Sequence, residues 1–408
     1  MTDSRHDVTI IGGGIIGLAA ALRLTKRFPR LRVLVLEKES RVGQHQSSHN
    51  SGVIHSGIYY PPGSLKAKLC VEGARAMVEF CREHGIPHQV CGKVIVATHE
   101  EELPRLEELR RRGEANGLTG VQSIGPEQLQ EIEEHACGLR ALVVPSTAIT
   151  DYAAVCVKYA EIVQHQGAII LTSTAVTGLR KRASEIIVET NGPALASNYL
   201  INCAGLFSDR VSLMAGDDSK IMIIPFRGEY YDLVPQRSFL VKSLIYPVPD
   251  PRFPFLGVHF TRRISGTVDA GPNAVLAFRR EGYRRADFNV RDVASSLAFP
   301  GFWRMAAKNW RSGLDEFRRS FSKSEFVHAL QRLVPEVREQ DLVPGASGVR
   351  AQALQRDGTL VDDFQFVPSG RMLHVFNVPS PAATASLAIG RTIVDAAQRQ
   401  FGADWEAG

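Results

Sequence analysis

Several things are missing from this chain. None of its six cysteines forms a C-x-x-C pair, which excludes a zinc knuckle and a thioredoxin-type redox motif. Their wide scatter reads as reduced thiols in a cytosolic compartment. No apolar run approaches the roughly 18 residues of a transmembrane helix. The apolar stretch Val8 to Leu24 is broken by Gly12, Gly13, Gly14, Gly17 and Arg23, so it is not read as a signal peptide. A strong charge is also lacking: 48 basic and 43 acidic residues leave +5, too little and too dispersed to imply nucleic acid. No metal site is expected. There is no internal repeat and no low-complexity stretch.

What is present is enough chain for a large core. At 408 residues and 44% apolar, two or three domains are expected, or one cofactor domain with a large insert. Val8-Thr9-Ile10-Ile11 reads as a buried parallel strand. Gly12-Gly13-Gly14-Ile15-Ile16-Gly17 follows at once, then a helical run from Leu18 to Leu24, then a second strand Val33-Leu34-Val35-Leu36 ending on Glu37. This is G-x-G-x-x-G in its required setting of strand, turn, helix, strand and acid. Gly12 allows the turn, Gly14 lets backbone approach a pyrophosphate, and Gly17 lets helix and strand pack closely. The helix start offers N–H groups to the phosphates. Glu37, 20 residues beyond Gly17, is placed to accept from a ribose hydroxyl. The unit implies a dinucleotide and leaves open whether it is NAD or FAD.

Two further segments bear on that choice. Arg41-Val42-Gly43 opens a polar stretch, Gln44 to Gly52. Later, Tyr199-Leu200-Ile201-Asn202-Cys203-Ala204-Gly205 runs from a strand into a small-residue turn, followed by Ser208-Asp209. Together with the first motif these resemble the D-amino-acid-oxidase superfamily of FAD enzymes. A closing piece adds to the likeness: Ser347-Gly348-Val349-Arg350-Ala351, the strand Leu373 to Asn377, and Pro379-Ser380-Pro381-Ala382-Ala383-Thr384-Ala385. The resemblance implies non-covalent FAD. Its contacts would be Gly12, Gly14, Ile15, Ile16, Gly17, Glu37, Lys38, Ser48, Asn50, Ser51, Gly52, Ala204, Gly205, Ala382, Ala383 and Thr384. In some relatives a histidine placed comparably to His49 holds FAD covalently. A bland reading of the last piece is Ser380 capping a surface helix with Pro381 at its first position.

The segment Ser48 to Tyr60, with Pro225 to Tyr231, Asp269 to Ala274 and Asn377 to Thr384, is similar to the L-2-hydroxyglutarate oxidases and dehydrogenases. Asn50 to Tyr60 also resembles FAD-dependent glycerol-3-phosphate dehydrogenases, which tend to have a basic residue where Tyr59 stands. An amino-acid oxidase, or a flavin-bound regulatory protein, are further alternatives. Oxidising a 2-hydroxy acid needs a base for the hydroxyl proton and cations or hydrogen-bond donors for the carboxylates. Arg350 is the expected carboxylate clamp, because a guanidinium binds both oxygens. Tyr59 and Tyr60 are expected substrate contacts. His259 is the expected base and His55 a substrate or flavin contact, with Arg227 holding structure nearby.

The cofactor segments are far apart in sequence. The expected architecture is α/β: a discontinuous Rossmann-like FAD-binding domain of residues 1–90, 145–217 and 342–408, plus an α+β substrate domain of 91–144 and 218–341 with an antiparallel sheet. Residues 297–321 interleave Phe299, Phe302, Trp303, Met305, Trp310, Leu314, Phe317 and Phe321 with Arg304, Lys308, Arg311, Arg318 and Arg319. That pattern suits a peripheral site on the inner face of a membrane. A membrane quinone or oxygen would then accept the electrons. The same pattern also suits an amphipathic helical pair packed on the substrate domain.

Overall fold

The structure is a computed structural model and describes residues 5–218, 220–250, 256–309, 322–402 and 405. Its first layer grows from the N-terminal apolar run. Strand Arg5–Ile11 pairs in parallel with Val33–Leu36 on one side and Leu195–Asn202 on the other. Ile169–Leu171 extends the sheet beyond Val33–Leu36, and Met372–Asn377 lies along the far edge of Leu195–Asn202, both parallel. Side-chain alternation divides the strands between two cores. Val8, Ile10, Val33 and Val35 face Ala20, Leu24, Ile389 and Ile393 of the helices Ile15–Arg27 and Ser386–Phe401. Ile11, Leu34 and Leu36 face Val188 and Val211 on the opposite side.

The N-terminal half of helix Ile15–Arg27 is held close to its neighbours by missing side chains. A Cβ on Gly17 would lie 2.0 Å from the Gly12 carbonyl oxygen, and one on Gly390 would lie 2.6 Å from that of Ala19. Gly12 itself has φ +108, and a Cβ there would meet the Cys203 carbonyl at 2.4 Å. Strand and helix therefore approach each other backbone to backbone, as the glycine spacing implies.

The second layer is a larger sheet. Its order is Val275–Leu276, Ile221–Leu233, Val268–Gly271, His259–Arg262, Leu244–Pro247, Lys93–Ala97, Arg140–Val144, Gln122–Ile124. Leu342–Gln355 runs antiparallel along the length of Ile221–Leu233. Helix Lys323–Gln331 covers one face through Phe326 and Leu330 against Val94, Val96 and Phe260. Helix Leu103–Ala115 covers the other through Leu106 and Leu109 against Ile95, Ala97 and Leu142.

The structure departs from the sequence reading in four places. The sheet is not wholly antiparallel, because Leu244–Pro247 runs parallel to Lys93–Ala97. Residues 342–355 belong to this second sheet, although 342–408 reads as cofactor domain. Gly345 and Gly348 there serve extended backbone that passes against Asp232 and the His49 carbonyl. The closing helix begins at Ser386, so Ser380 does not cap it. In the basic aromatic segment, Phe299, Phe302 and Met305 pack against Ile224 and Leu354, which makes them core. Trp303 is 58% exposed. Trp310, Arg311, Leu314, Phe317, Arg318, Arg319 and Phe321 lie outside the described residues.

Gly17→Ala is expected to cost about 3 kcal/mol through overpacking. A fall in the apoprotein's melting temperature, together with loss of bound flavin, would record it.

Candidate active site

A cavity of about 1150 Å³ lies between the two layers. One end is formed by Glu37, Lys38 and Thr174 to Val176. The middle passes Gly12, Gly14, Ile15, Ile16 and Gln44 to Ser47. The far end holds His55, Tyr59, Tyr60, Tyr246, His259, Arg350 and Ala382 to Thr384.

The first end is set by Glu37. Its carboxylate accepts the N–H of Gly13 at 2.8 Å and that of Glu39 at 2.9 Å. This ties the glycine loop to the end of the second strand. The N–H of Ile15 donates to Ser47 Oγ at 2.9 Å, and no acidic residue sits in the first turn of that helix. A Cβ on Gly14 would touch only Ser47 Oγ, at 3.4 Å, so bare backbone faces the cavity there. That is the cradle a pyrophosphate needs, and the residues present fit a dinucleotide.

The far end is positioned by long-range bonds. The His55 N–H donates to Thr384 Oγ1 at 3.0 Å, joining the early polar segment to the closing one. Asn116 Nδ2 donates to the carbonyls of Gly57 and Tyr60, at 3.1 and 3.0 Å. His259 Nδ1 lies 2.8 Å from the Gly257 carbonyl. Its proton is therefore on Nδ1, leaving the Nε2 lone pair free. The Tyr246 ring stacks on His259, with centroids 3.9 Å apart. Burial pushes both His55 and His259 down to about 3, and the charges of Lys93 and Arg350 add to that. Both rings are neutral at physiological pH. The Tyr59 hydroxyl and His55 Nδ1 are buried without a protein partner. Arg350 engages Tyr230 from the strand Leu342–Gln355.

A strap, residues 277–289, crosses from the second layer to the cofactor end. Buried Arg280 forms a two-pronged ion pair with Asp209, one prong at 2.7 Å, and also donates to the Leu206 carbonyl. Glu281 reaches Lys38 at 2.6 Å and His45 at 2.9 Å. Glu39 lies 2.8 Å from the same His45 nitrogen. Tyr283 stacks on His49 at 4.1 Å. Arg227 lies outside the cavity lining. It pairs with Glu229 at 2.8 Å and donates to the Arg284 carbonyl, so it anchors this strap.

Over residues 7–396 the chain matches the family described as FAD dependent oxidoreductase. It belongs to that family. FAD is its cofactor. Among curated relatives, the L-2-hydroxyglutarate dehydrogenase of Indibacter alkaliphilus is 50% identical, over 97% of this chain and 99% of that protein. The human mitochondrial L-2-hydroxyglutarate dehydrogenase is 45% identical over 98% and 90%. Among solved structures, the FAD-bound L-α-glycerophosphate oxidase of Mycoplasma pneumoniae superposes with a TM-score of 0.80 at 24% identity, covering 99% of this chain and 96% of that one. A glycine oxidase from Geobacillus kaustophilus gives 0.72 at 20%, covering 97% and 95%. These two share the fold.

Within the family cavity, Gly12, Gly14, Ile15, Ile16, Glu37, Lys38, Asn50, Ser51, Ala204, Gly205, Ala382, Ala383 and Thr384 line the wall, as do Tyr59, Tyr60, His55, His259 and Arg350. Three expected contacts do not. Ser48 faces solvent and donates to the Gln44 carbonyl. Gly17 acts in packing. Gly52, with φ +73, abuts the Thr150 carbonyl. Ser47, not Ser48, meets the helix start. Sequence reasoning also missed His45, Glu281 and Tyr283, which come together across more than 200 residues with no local pattern to announce them. Tyr230, Tyr246 and Lys93 were missed as well. Only Lys93 left a trace, as a lone charge opening an apolar strand.

Burial opposes charging of His45, but its bonds to Glu281 and Glu39 outweigh that and raise its pKa. The His45 ion pairs with Glu281 and Glu39 are therefore fully formed below the ordinary histidine value of about 6.5. They weaken as pH rises through the raised one. FAD dissociation should accelerate over that rise, and Glu281→Gln should accelerate it at the lower pH too; dialysis followed by flavin absorbance measures both.

Proposed function

We propose that this enzyme oxidises L-2-hydroxyglutarate to 2-oxoglutarate. The observation that carries the reading is the pairing, in one cavity, of a histidine with an unoccupied Nε2 lone pair and an arginine able to hold a carboxylate. The names of relatives up to 50% identical point the same way.

In this reading Arg350 holds the C1 carboxylate with its planar fork. His259 Nε2 takes the C2 hydroxyl proton, the Gly257 carbonyl keeping the ring in the required tautomer. His55 and the Tyr59 and Tyr60 hydroxyls contact the substrate and flavin end. When bound, FAD supplies the redox step by accepting the C2 hydride. Glu37, the Gly12 to Ile16 loop, Asn50, Ser51, Ala204, Gly205 and Ala382 to Thr384 hold the cofactor. His49 stacks on Tyr283 and leaves FAD non-covalent, so acid precipitation should release all of the yellow colour to the supernatant.

The proposal extends to the electron acceptor, a quinone met at a membrane surface. Phe288, Val290 and Trp303 are 60, 73 and 58% exposed, beside exposed Arg291 and Arg304. Apolar groups among cations suit an anionic interface. No helix among the described residues is long and apolar enough to cross a membrane. Binding to anionic vesicles, and faster turnover with a quinone than in air, is the expected outcome. Rapid reoxidation by air without a quinone would make oxygen the acceptor.

The substrate is tested by anaerobic loss of flavin absorbance. L-2-Hydroxyglutarate should bleach the protein, while the D form and glycerol 3-phosphate should not. Bleaching by glycerol 3-phosphate alone would replace the reading. His259→Asn should slow reduction about 10²- to 10⁴-fold. Arg350→Met should weaken kcat/KM by about tenfold to a hundredfold, from lost charge-assisted bonds. Because His259 is already neutral, kcat/KM should not fall as pH is lowered from about 8 to about 5.

A further inference from the structure

Lys93 is 2% exposed, and no carboxylate among the described residues forms an ion pair with it. A buried charge without a counter-ion is costly, so its surroundings bear on its use. The ammonium lies 4.3 Å from the centre of the Tyr59 ring and 4.9 Å from that of Tyr246. Cation–π attraction recovers part of the cost. Both rings line the cavity, and Tyr246 stacks on His259. Lys93 thus stands directly behind the wall of the substrate end.

The other groups facing this point do not neutralise it. Cys70, from helix Leu65–Glu83, is held as a thiol, pushed up to about 12. His55 and His259 are neutral. Tyr59 and Tyr246 are protonated phenols. Asp269, two strands away from Tyr246, is engaged by Arg263 and by Asp232. Arg350 adds a second positive charge to the same end. Two cations, Arg350 and Lys93, thus lie around His55 and His259, while Lys66, farther along beside Tyr60, faces Asp362 and Asp363; a 2-hydroxy acid with one carboxylate would answer only one of the two.

We propose that Lys93 determines specificity for the second carboxylate: from behind Tyr59 and Tyr246 it gives that wall a positive potential favouring a dicarboxylic over a monocarboxylic hydroxy acid. The inference rests on the reading of the substrate given above. Lys93 acts through the Tyr59 ring and the field in the cavity, without touching the reacting atoms. Across a protein interior of effective dielectric about 20, unit charges roughly 10 Å apart change an affinity by about tenfold. Burial lowers Lys93 to about 7. A dianion favours the protonated form, so its binding should weaken as pH rises through that value.

The test compares the holoenzyme with Lys93→Met and Lys93→Arg. Glutarate binding is followed by calorimetry, and KM and kcat are measured for L-2-hydroxyglutarate and L-2-hydroxybutyrate. In Lys93→Met, glutarate affinity should fall about tenfold and KM for the diacid should rise equally, with kcat and the monoacid's KM changed less than about threefold. The weakening of glutarate binding above about pH 7 should vanish in both variants, with Lys93→Met binding weakly and Lys93→Arg tightly at every pH. The Met variant should melt no lower than the parent, since apolar replacement of a buried charge is neutral or stabilising. Equal losses for both substrates with a lower melting temperature would overturn the inference, as would an unchanged diacid preference in Lys93→Met. Should the Met variant fail to fold, Lys93→Gln gives the same comparison. If the parent itself shows no preference for L-2-hydroxyglutarate, the substrate reading fails first and this inference with it.

Discussion

The bond from the Gly13 N–H to the Glu37 carboxylate is the constraint on which the cofactor end depends. It fixes a glycine loop that has no side chains of its own to hold it. Gly12 can turn only with positive φ, Gly17 can approach only without a Cβ, and the loop then faces the cavity as backbone. Ser47 completes the arrangement by taking the Ile15 N–H from a segment that has no regular structure. A conventional core of β-branched strands and alanine-rich helices holds these parts still. Rigidity here comes from packing, and recognition comes from amide groups.

The opposite end of the cavity works on a different principle. It is lined by aromatic rings and two neutral histidines, with the Arg350 guanidinium in its wall and Lys93 behind it. The histidines stay neutral because burial and neighbouring positive charge both oppose protonation. Neutrality suits a base, and the fixed tautomer of His259 gives its lone pair a direction. The two ends are joined by the strap, whose middle is a buried arginine–aspartate pair and whose tip is a small network of Lys38, His45, Glu39 and Glu281.

Legibility in the sequence follows the range of the interactions. The strand, turn, helix, strand and acid of residues 8–37 are contiguous, so their geometry was readable directly. The far-end residues His55, Tyr59, Tyr60, His259 and Arg350 were reached through a family likeness, and the fold does gather them along one wall. What was not readable depends on partners far away in the chain. Ser48 was preferred to Ser47 because both are serines in one polar run, and only the helix start shows which faces inward. Ser347 to Ala351 were legible only as part of the closing cofactor piece, yet Gly348 lets a long strand of the second sheet pass close to the His49 carbonyl. The aromatic segment looked interfacial, but Phe299, Phe302 and Met305 belong to the core. A periodic apolar pattern cannot say whether its face meets protein or lipid.

The order of the parallel sheet has a consequence for synthesis. Its strands come from residues 5–11, 33–36, 169–171, 195–202 and 372–377, and the helix that backs the first one ends at Phe401. The glycine loop and Glu37 exist once the first forty or so residues are out and their strand neighbours follow in mid-chain, but Met372–Asn377 and the helix Ser386–Phe401 arrive only with the last tenth of the chain. Such distant pairings are slow to form. The parallel sheet and the helix that backs it therefore cannot be completed until the last tenth of the chain has left the ribosome.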